Sequence, residues 1–290
     1  MGCKIHYLLV KWLKGIVLFN LFLQFFILSP GNLCAYILEG PHILHLAVIK
    51  MGAPVNIRVS QNLTFHDQQD PPPTLQETIS YHLPEQFRSD IITEEMSKIY
   101  VFSHDHAITI INEKTSSTAD TLLQYYKDPL LFQNRQLLED RLIFLGINVA
   151  VTSLDRFENQ IYYVIGAVNP DKPLPQLWIG KESFLPARFL ILDQSDPNHE
   201  KIVEFRYLNW MKTEKKWYPM RIETYIDNNL IRTADALSVR LNSGFDDHFF
   251  NIKHLQTIYP PATPAPYEKN QTDDLEDVQQ SIENLKRRFD

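Results

Sequence analysis

Cysteine is nearly absent. The 290-residue chain has two, Cys3 and Cys34, and both precede the region that patterns as a folded domain, so no disulfide framework or paired-cysteine metal site is available to it. Glycine is scarce, nine residues against eighteen prolines. No Gly-x-Ser-x-Gly elbow, phosphate-binding loop or His-Glu-x-x-His helix occurs. Without a nucleophile–base signature the chain does not read as an enzyme, and nothing calls for a cofactor. Positive charge is also in deficit: 28 Lys and Arg stand against 35 Asp and Glu, for a formal net charge of −7. An acidic chain of this kind fits nucleic acid and anionic membrane surfaces poorly.

What is present begins with a leader over residues 1–35. Lys4, Lys11 and Lys14 precede an apolar run from Ile16 to Leu28, followed by Ser29-Pro30-Gly31 and a short stretch ending at Ala35. That is the plan of a secretory signal peptide. The apolar run, broken by Asn20 and Gln24, is short of the roughly 20 residues that span a bilayer. An uncleaved signal-anchor is the competing reading. Cleavage after Ala35 leaves a chain without thiols. A lipoprotein processed at Cys34 is a further alternative, but Leu33 and Gly31 place the large and small residues of a lipobox the wrong way round. Met1-Gly2 is no myristoylation site, because His6 stands where Ser or Thr is needed.

The chain is organised around Arg156–Tyr225, which reads as an antiparallel meander: β-branched and aromatic segments divided by Glu158-Asn159, Gly180–Ser183, Thr213–Lys216 and Asp227-Asn228-Asn229. No crossover helix fits between these strands. Several are apolar on both parities, as in Ile161–Ile165 and Phe189–Leu192. Each face is therefore covered, by helices, by a second layer or by a bound apolar molecule. Upstream, Gly40-Pro41 opens a helix over His42–Met51 that is apolar nearly all round, so it is expected to be buried. Val55–Phe65, Leu75–Leu83, Phe87–Ile92, Ile99–Phe102 and Ala107–Ile111 read as strands. Thr118–Tyr126 and Asn134–Leu145 read as helices before the strands resume at Val149. This is an α+β pattern, with its helices expected on one side of the sheet.

Four regions follow: 1–35 signal peptide, 36–252 folded domain, 253–272 linker containing the proline-rich Tyr259–Pro266, and 273–290 an amphipathic helix. In the last, Leu275, Val278, Ile282, Leu285 and Phe289 form a narrow apolar stripe suited to docking on its own domain or on a partner helix. Two clusters, His104-Asp105-His106 and Asp246-Asp247-His248, hold metal-ligand residue types, but neither supplies a third ligand at a diagnostic spacing. They read most simply as a polar hairpin turn and a solvated loop, as does His66-Asp67 with Asp70. Asn62-Leu63-Thr64 and Asn270-Gln271-Thr272 match glycosylation sequons.

The succession PEQFRSD, KIYVFSHDHAITIIN, QLWIGKESFLPARFLIL and KKWYPMRIETY resembles the LolA-like outer-membrane lipoprotein-sorting family, over about Tyr36 to Ile252. The resemblance implies an unclosed, strongly curved antiparallel β-barrel with helices lidding its concave face. It also implies a periplasmic carrier that holds acyl chains of lipoproteins or other lipids. Residues expected to line the cavity are Val59, Ile79, Tyr81, Phe87, Tyr163, Trp178 and Phe189, with Leu83, Leu130, Leu131, Leu137 and Leu138 in the lid. The face assignment is sensitive to register, since a slip of one residue moves a strand's set to the other side. One position departs from the carrier: Leu83 stands where the carrier has the arginine that helps latch its lid. Either the lid closes by apolar contacts alone, or cargo and release differ. The alternative function is an envelope interaction or sensor protein that carries nothing and works through its C-terminal helix.

Overall fold

The computed structural model describes residues 37–52, 54–66, 72–116, 122–193 and 200–261. The leader, most of the proline-rich stretch and the helix expected over 273–290 lie outside the described residues.

Helix α1 (Gly40–Met51) is followed by a six-strand meander, β1 (Asn56–Phe65), β2 (Thr74–His82), β3 (Gln86–Ile92), β4 (Ser97–Ser103), β5 (His106–Ile111) and β6 (Lys114–Ser116). A helical excursion comes next: the 3-10 helix η1 (Leu122–Lys127), α2 (Asp128–Leu131) and α3 (Arg135–Phe144). The chain returns through β7 (Thr152–Phe157), β8 (Gln160–Ile165), β9 (Gln176–Gly180), β10 (Pro186–Asp193), β11 (Lys201–Thr213), β12 (Lys216–Ile226) and β13 (Asn229–Leu241), and α4 (Ile252–Ile258) follows. All thirteen strands form one antiparallel sheet in the order β6-β5-β4-β3-β2-β1-β13-β12-β11-β10-β9-β8-β7. Pairing of β1 with β13, Ile57 opposite Leu241 and Phe65 opposite Arg232, joins the two meanders. The edges β6 and β7 do not pair, so the barrel is unclosed.

Local chemistry sets these hairpins. The central residues His104-Asp105, Asn112-Glu113, Glu158-Asn159 and Asp227-Asn228 all have positive φ, between 46° and 67°. Two-residue turns of that hand match the right-handed strand twist. The His104-Asp105-His106 segment is thus a hairpin turn, as its composition suggests. Helix α1 carries proline in its first turn and stops at Gly52, where φ is 75°. A Cβ at Gly52 would lie 2.0 Å from the Lys215 carbonyl oxygen, so only glycine lets the helix end seat against the β11–β12 turn. Asn134 caps α3, its Oδ1 accepting from the amides of Gln136 at 2.9 Å and Leu137 at 3.2 Å.

One core cluster draws on α1, on η1 to α3 and on strands from β1 to β4 and β8 to β13. A flat sheet of this width cannot bring such distant strands into one cluster, so the sheet wraps around its helices. The outer face carries two smaller clusters. Ile99, Val101, Ile108 and Ile110 are covered by Leu255 of α4. Tyr162, Val164, Trp178 and Leu190 pack together with Phe157 and Ile202. Two expectations are corrected. Residues 253–258, assigned to the linker, form a helix, and that helix lies on the sheet face opposite the others. Among the described residues no helix is long and apolar enough to cross a membrane.

Candidate functional site: the lidded concave face

Inward parity places Val59, Ile79, Tyr81, Phe87, Tyr163 and Phe189 in the concave core cluster. Trp178 is the exception. In β9 it is Leu177 and Ile179 that point inward, while Trp178 joins the outer cluster. There its Nε1 donates to Gln176 Oε1 at 3.2 Å, and the Arg188 guanidinium sits 4.6 Å from its ring centre. Trp178 is therefore not a cavity residue. Of the lid residues, Leu130, Leu131 and Leu138 are buried in the concave cluster, and Leu137 is half-buried against it. Leu83 lies in the β2–β3 turn rather than in a helix, and packs on the same cluster.

The interior is aromatic and closely filled. Tyr81 meets Phe87 edge-on at 5.1 Å and Tyr218 at 6.3 Å. Phe87 meets Tyr126 at 6.2 Å, and Phe189 meets Phe205 at 6.0 Å. Burial pushes the Tyr81, Tyr126 and Tyr207 hydroxyls well above the ordinary tyrosine range, so all three stay neutral donors at physiological pH.

The lid is held by polar latches that do not involve Leu83. Tyr207 on β11 donates its hydroxyl to the Tyr126 carbonyl at 2.8 Å. Arg232 on β13 donates Nη2 to the Leu123 carbonyl at 2.8 Å. Both acceptors belong to η1. Helix α1 is tied separately: Lys216, at the start of β12, donates Nζ to the Gly52 carbonyl at 3.0 Å. Within the lid the buried Asp128 takes Lys127 at 3.3 Å and Arg141 at 2.6 Å. The contacts that close the lid are therefore not apolar alone.

Sequence reasoning missed Lys127, Lys216 and Arg232, all buried, because long cationic side chains are ordinarily exposed. A signal existed for two of them. Lys216 shares strand parity with buried Tyr218 and Ile222, and Arg232 with buried Ala234. A charge on an inward position must find partners inside.

The two His/Asp clusters do come together. A cleft of about 880 Å³ away from the lid is lined by Asn56, His82, His104, Asp105, His106, Asp246, Asp247, Phe250 and Lys253, among others. His82 Nδ1 lies 2.6 Å from Asn56 Oδ1, and His106 Nδ1 lies 2.8 Å from the His104 carbonyl. Among the described residues no three His, Cys, Asp or Glu side chains converge as metal ligands.

No family model matches the chain, and no curated protein matches it. Solved structures do. A putative outer membrane lipoprotein-sorting protein domain from Vibrio parahaemolyticus superposes with a TM-score of 0.52 at 9% identity, over 75% of this chain and 98% of that one. A LolA superfamily protein from Nitrosomonas europaea gives 0.50 at 13% identity, over 73% of this chain and 98% of that one. A DUF1329 family protein from Desulfovibrio piger gives 0.52 at 11% identity, over 76% and 100%. At such identities the likeness speaks to architecture. The chain has the LolA-like fold: an unclosed, curved antiparallel barrel whose concave face is lidded by helices.

Proposed function

We propose that this protein is a periplasmic carrier or chaperone that holds acyl chains of lipoproteins or other lipids inside the barrel, in outer-membrane biogenesis. The observation that carries the reading is how the lid is attached. Its contacts to the sheet are side-chain packing and hydrogen bonds to η1 carbonyls, whereas the strands are joined to one another along the whole sheet order. The lid can therefore swing away and expose a largely apolar surface without breaking the sheet. Acyl chains gain about 0.8 kcal/mol per methylene buried there, and no catalytic group is needed. The fold shared with a lipoprotein-sorting domain supports the same reading. The test is a fluorescent fatty acid added to delipidated protein: saturable uptake, reversed by unlabelled acyl chains, is expected. Absence of saturable uptake would reject the carrier.

The filled interior favours a second reading. Phe87, Tyr81, Phe189 and Phe205 have no exposed surface, as in a protein that keeps the fold and carries nothing. Its working part would be the 273–290 segment, docking an envelope partner. Deleting residues 267–290 separates the two. Lost complex formation with lipid content intact supports the interaction protein, and the converse supports the carrier.

A further inference from the structure

The chain is acidic, yet beneath its lid the balance is reversed. Asp128 is shared by Lys127 and Arg141. A second buried carboxylate, Glu77, lies near the cation Lys98, which in turn lies near Arg232. Glu77 is engaged elsewhere, accepting from Gln61 Nε2 at 2.5 Å and from the Ser89 hydroxyl. Among the described residues neither Arg232 nor Lys98 is in ion-pair contact with a carboxylate. Burial and then the nearby Arg232 lower the Lys98 pKa, and the opposing pull of Glu77 does not offset them.

Arg232 is 5% exposed, and its guanidinium is only half used. The edge formed by Nε and Nη2 is the fork that grips a carboxylate or phosphate with two parallel hydrogen bonds. Here Nη2 holds the single carbonyl oxygen of Leu123, and Nε has no acceptor. Tyr126, whose ring lies 5.2 Å from the same guanidinium, has a buried hydroxyl without a partner. The Gln124 side-chain oxygen is buried and unpartnered in the same helix. Unsatisfied groups of this kind are rare in folded proteins and call for an explanation. Three of them sit on η1 and on the residue that latches it.

We propose that Arg232, with Lys98 and Tyr126, forms a subsite for the anionic end group, phosphate or carboxylate, of the acylated ligand, and that the Leu123 carbonyl fills this subsite while the lid is shut. The inference rests on the carrier reading and names its class of cargo. A two-oxygen anion satisfies Nε and Nη2 together and accepts a hydrogen bond from the Tyr126 hydroxyl, which a lone carbonyl cannot do. An anion gripped at the Nε–Nη2 edge competes with the Leu123 carbonyl for Nη2. Loading an anionic lipid therefore releases η1, and the residue that reads the end group also opens the lid.

The experiment uses the mature chain, residues 36–290, delipidated and mixed with equimolar phosphatidylglycerol, phosphatidylcholine and diacylglycerol of matched acyl chains. Bound species are read by native mass spectrometry, with palmitate and inorganic phosphate in separate arms. The wild type is expected to take phosphatidylglycerol at least tenfold over diacylglycerol, and to take palmitate. Arg232→Met is expected to lose the preference while still taking diacylglycerol, and Arg232→Lys to restore only part of it. Hydrogen exchange at residues 122–127 should rise with phosphatidylglycerol in the wild type and not with diacylglycerol. Equal uptake of all three lipids, or an undiminished preference in Arg232→Met, overturns the proposal while leaving the carrier standing. Inorganic phosphate binding as tightly as phosphatidylglycerol overturns the acylated source. No uptake of any lipid overturns carrier and subsite together.

Discussion

Lys216 offers the most quantitative check on how helix α1 is seated over the concave face. Its residue is 1% exposed, its Nζ donates to the carbonyl of Gly52 at the end of α1, and among the described residues no carboxylate pairs with it. Burial lowers its pKa from 10.5 to about 7. Unfolding restores the ordinary value, so between pH 7 and 10.5 the unfolded chain binds more protons than the folded one. Stability must then rise with pH across that window. Below pH 7 both states are protonated and the penalty is fully present. From these two values the change between pH 6 and pH 10 is about 4 kcal/mol, a ceiling because relaxation and the negative end of the α1 dipole ease the charge. Lys216→Met removes the amine and, with it, a hydrogen bond of about 1 kcal/mol. The variant is expected to be about 2–3 kcal/mol more stable than the wild type at pH 6, and equal to it near pH 10. Urea unfolding followed by tryptophan fluorescence at several pH values supplies the test. Groups that titrate alike in both proteins cancel in the difference. A difference that stays constant from pH 6 to pH 10 would refute the claim that Lys216 is buried without a counter-charge.

Three further outcomes follow from the same geometry. Tyr207→Phe removes one latch on η1, costing about 1 kcal/mol locally, and hydrogen exchange at Tyr126 and its neighbours should quicken severalfold while the β1–β13 ladder is unchanged. Phe189 has no exposed surface and packs on Phe205; Phe189→Ala should cost about 3–5 kcal/mol by thermal or urea unfolding. Phe189→Asp should fail to fold, which makes it unsuitable as a probe of lipid retention. On the outer face, burial acts to raise the Glu204 pKa, but hydrogen bonds from Arg188 at 2.7 Å and Arg206 at 2.6 Å outweigh it and leave it lowered. Glu204→Gln should cost about 2 kcal/mol at neutral pH, and the loss should disappear as pH falls through the folded-state pKa of Glu204, because protonation removes the same interaction.

The parts of this fold legible in the sequence are those set by local chemistry. Glu158-Asn159 and Asp227-Asn228 specify tight turns whichever strands surround them, and Gly40-Pro41 and Gly52 mark the ends of α1. The face of β9 was not legible. Leu177, Trp178 and Ile179 are all apolar, so period-two alternation cannot choose between them, and only packing against distant strands puts Trp178 outside. Helix α4 was missed for a related reason. In Lys253–Ile258 only Leu255 is buried, and with Ile252 and Tyr259 packing on β4 and β5 from the two ends the helix carries too few apolar positions to leave a repeating pattern. The latches were the least legible. Arg232 and Leu123, or Lys216 and Gly52, are far apart in the chain, and no spacing rule links a side chain to a remote carbonyl. What the sequence does carry is the anomaly itself, a charge at an inward-facing strand position, as at Glu77 between Leu75 and Ile79.

The central claim is that the lidded barrel carries acylated cargo, and mass reports on that most directly. Native mass spectrometry of residues 36–290, purified without detergent and compared before and after lipid extraction, should show extra mass matching a lipid or an acylated peptide, lost on extraction and regained on add-back. An unliganded mass in both samples, with nothing taken up when lipid is returned, would contradict the account.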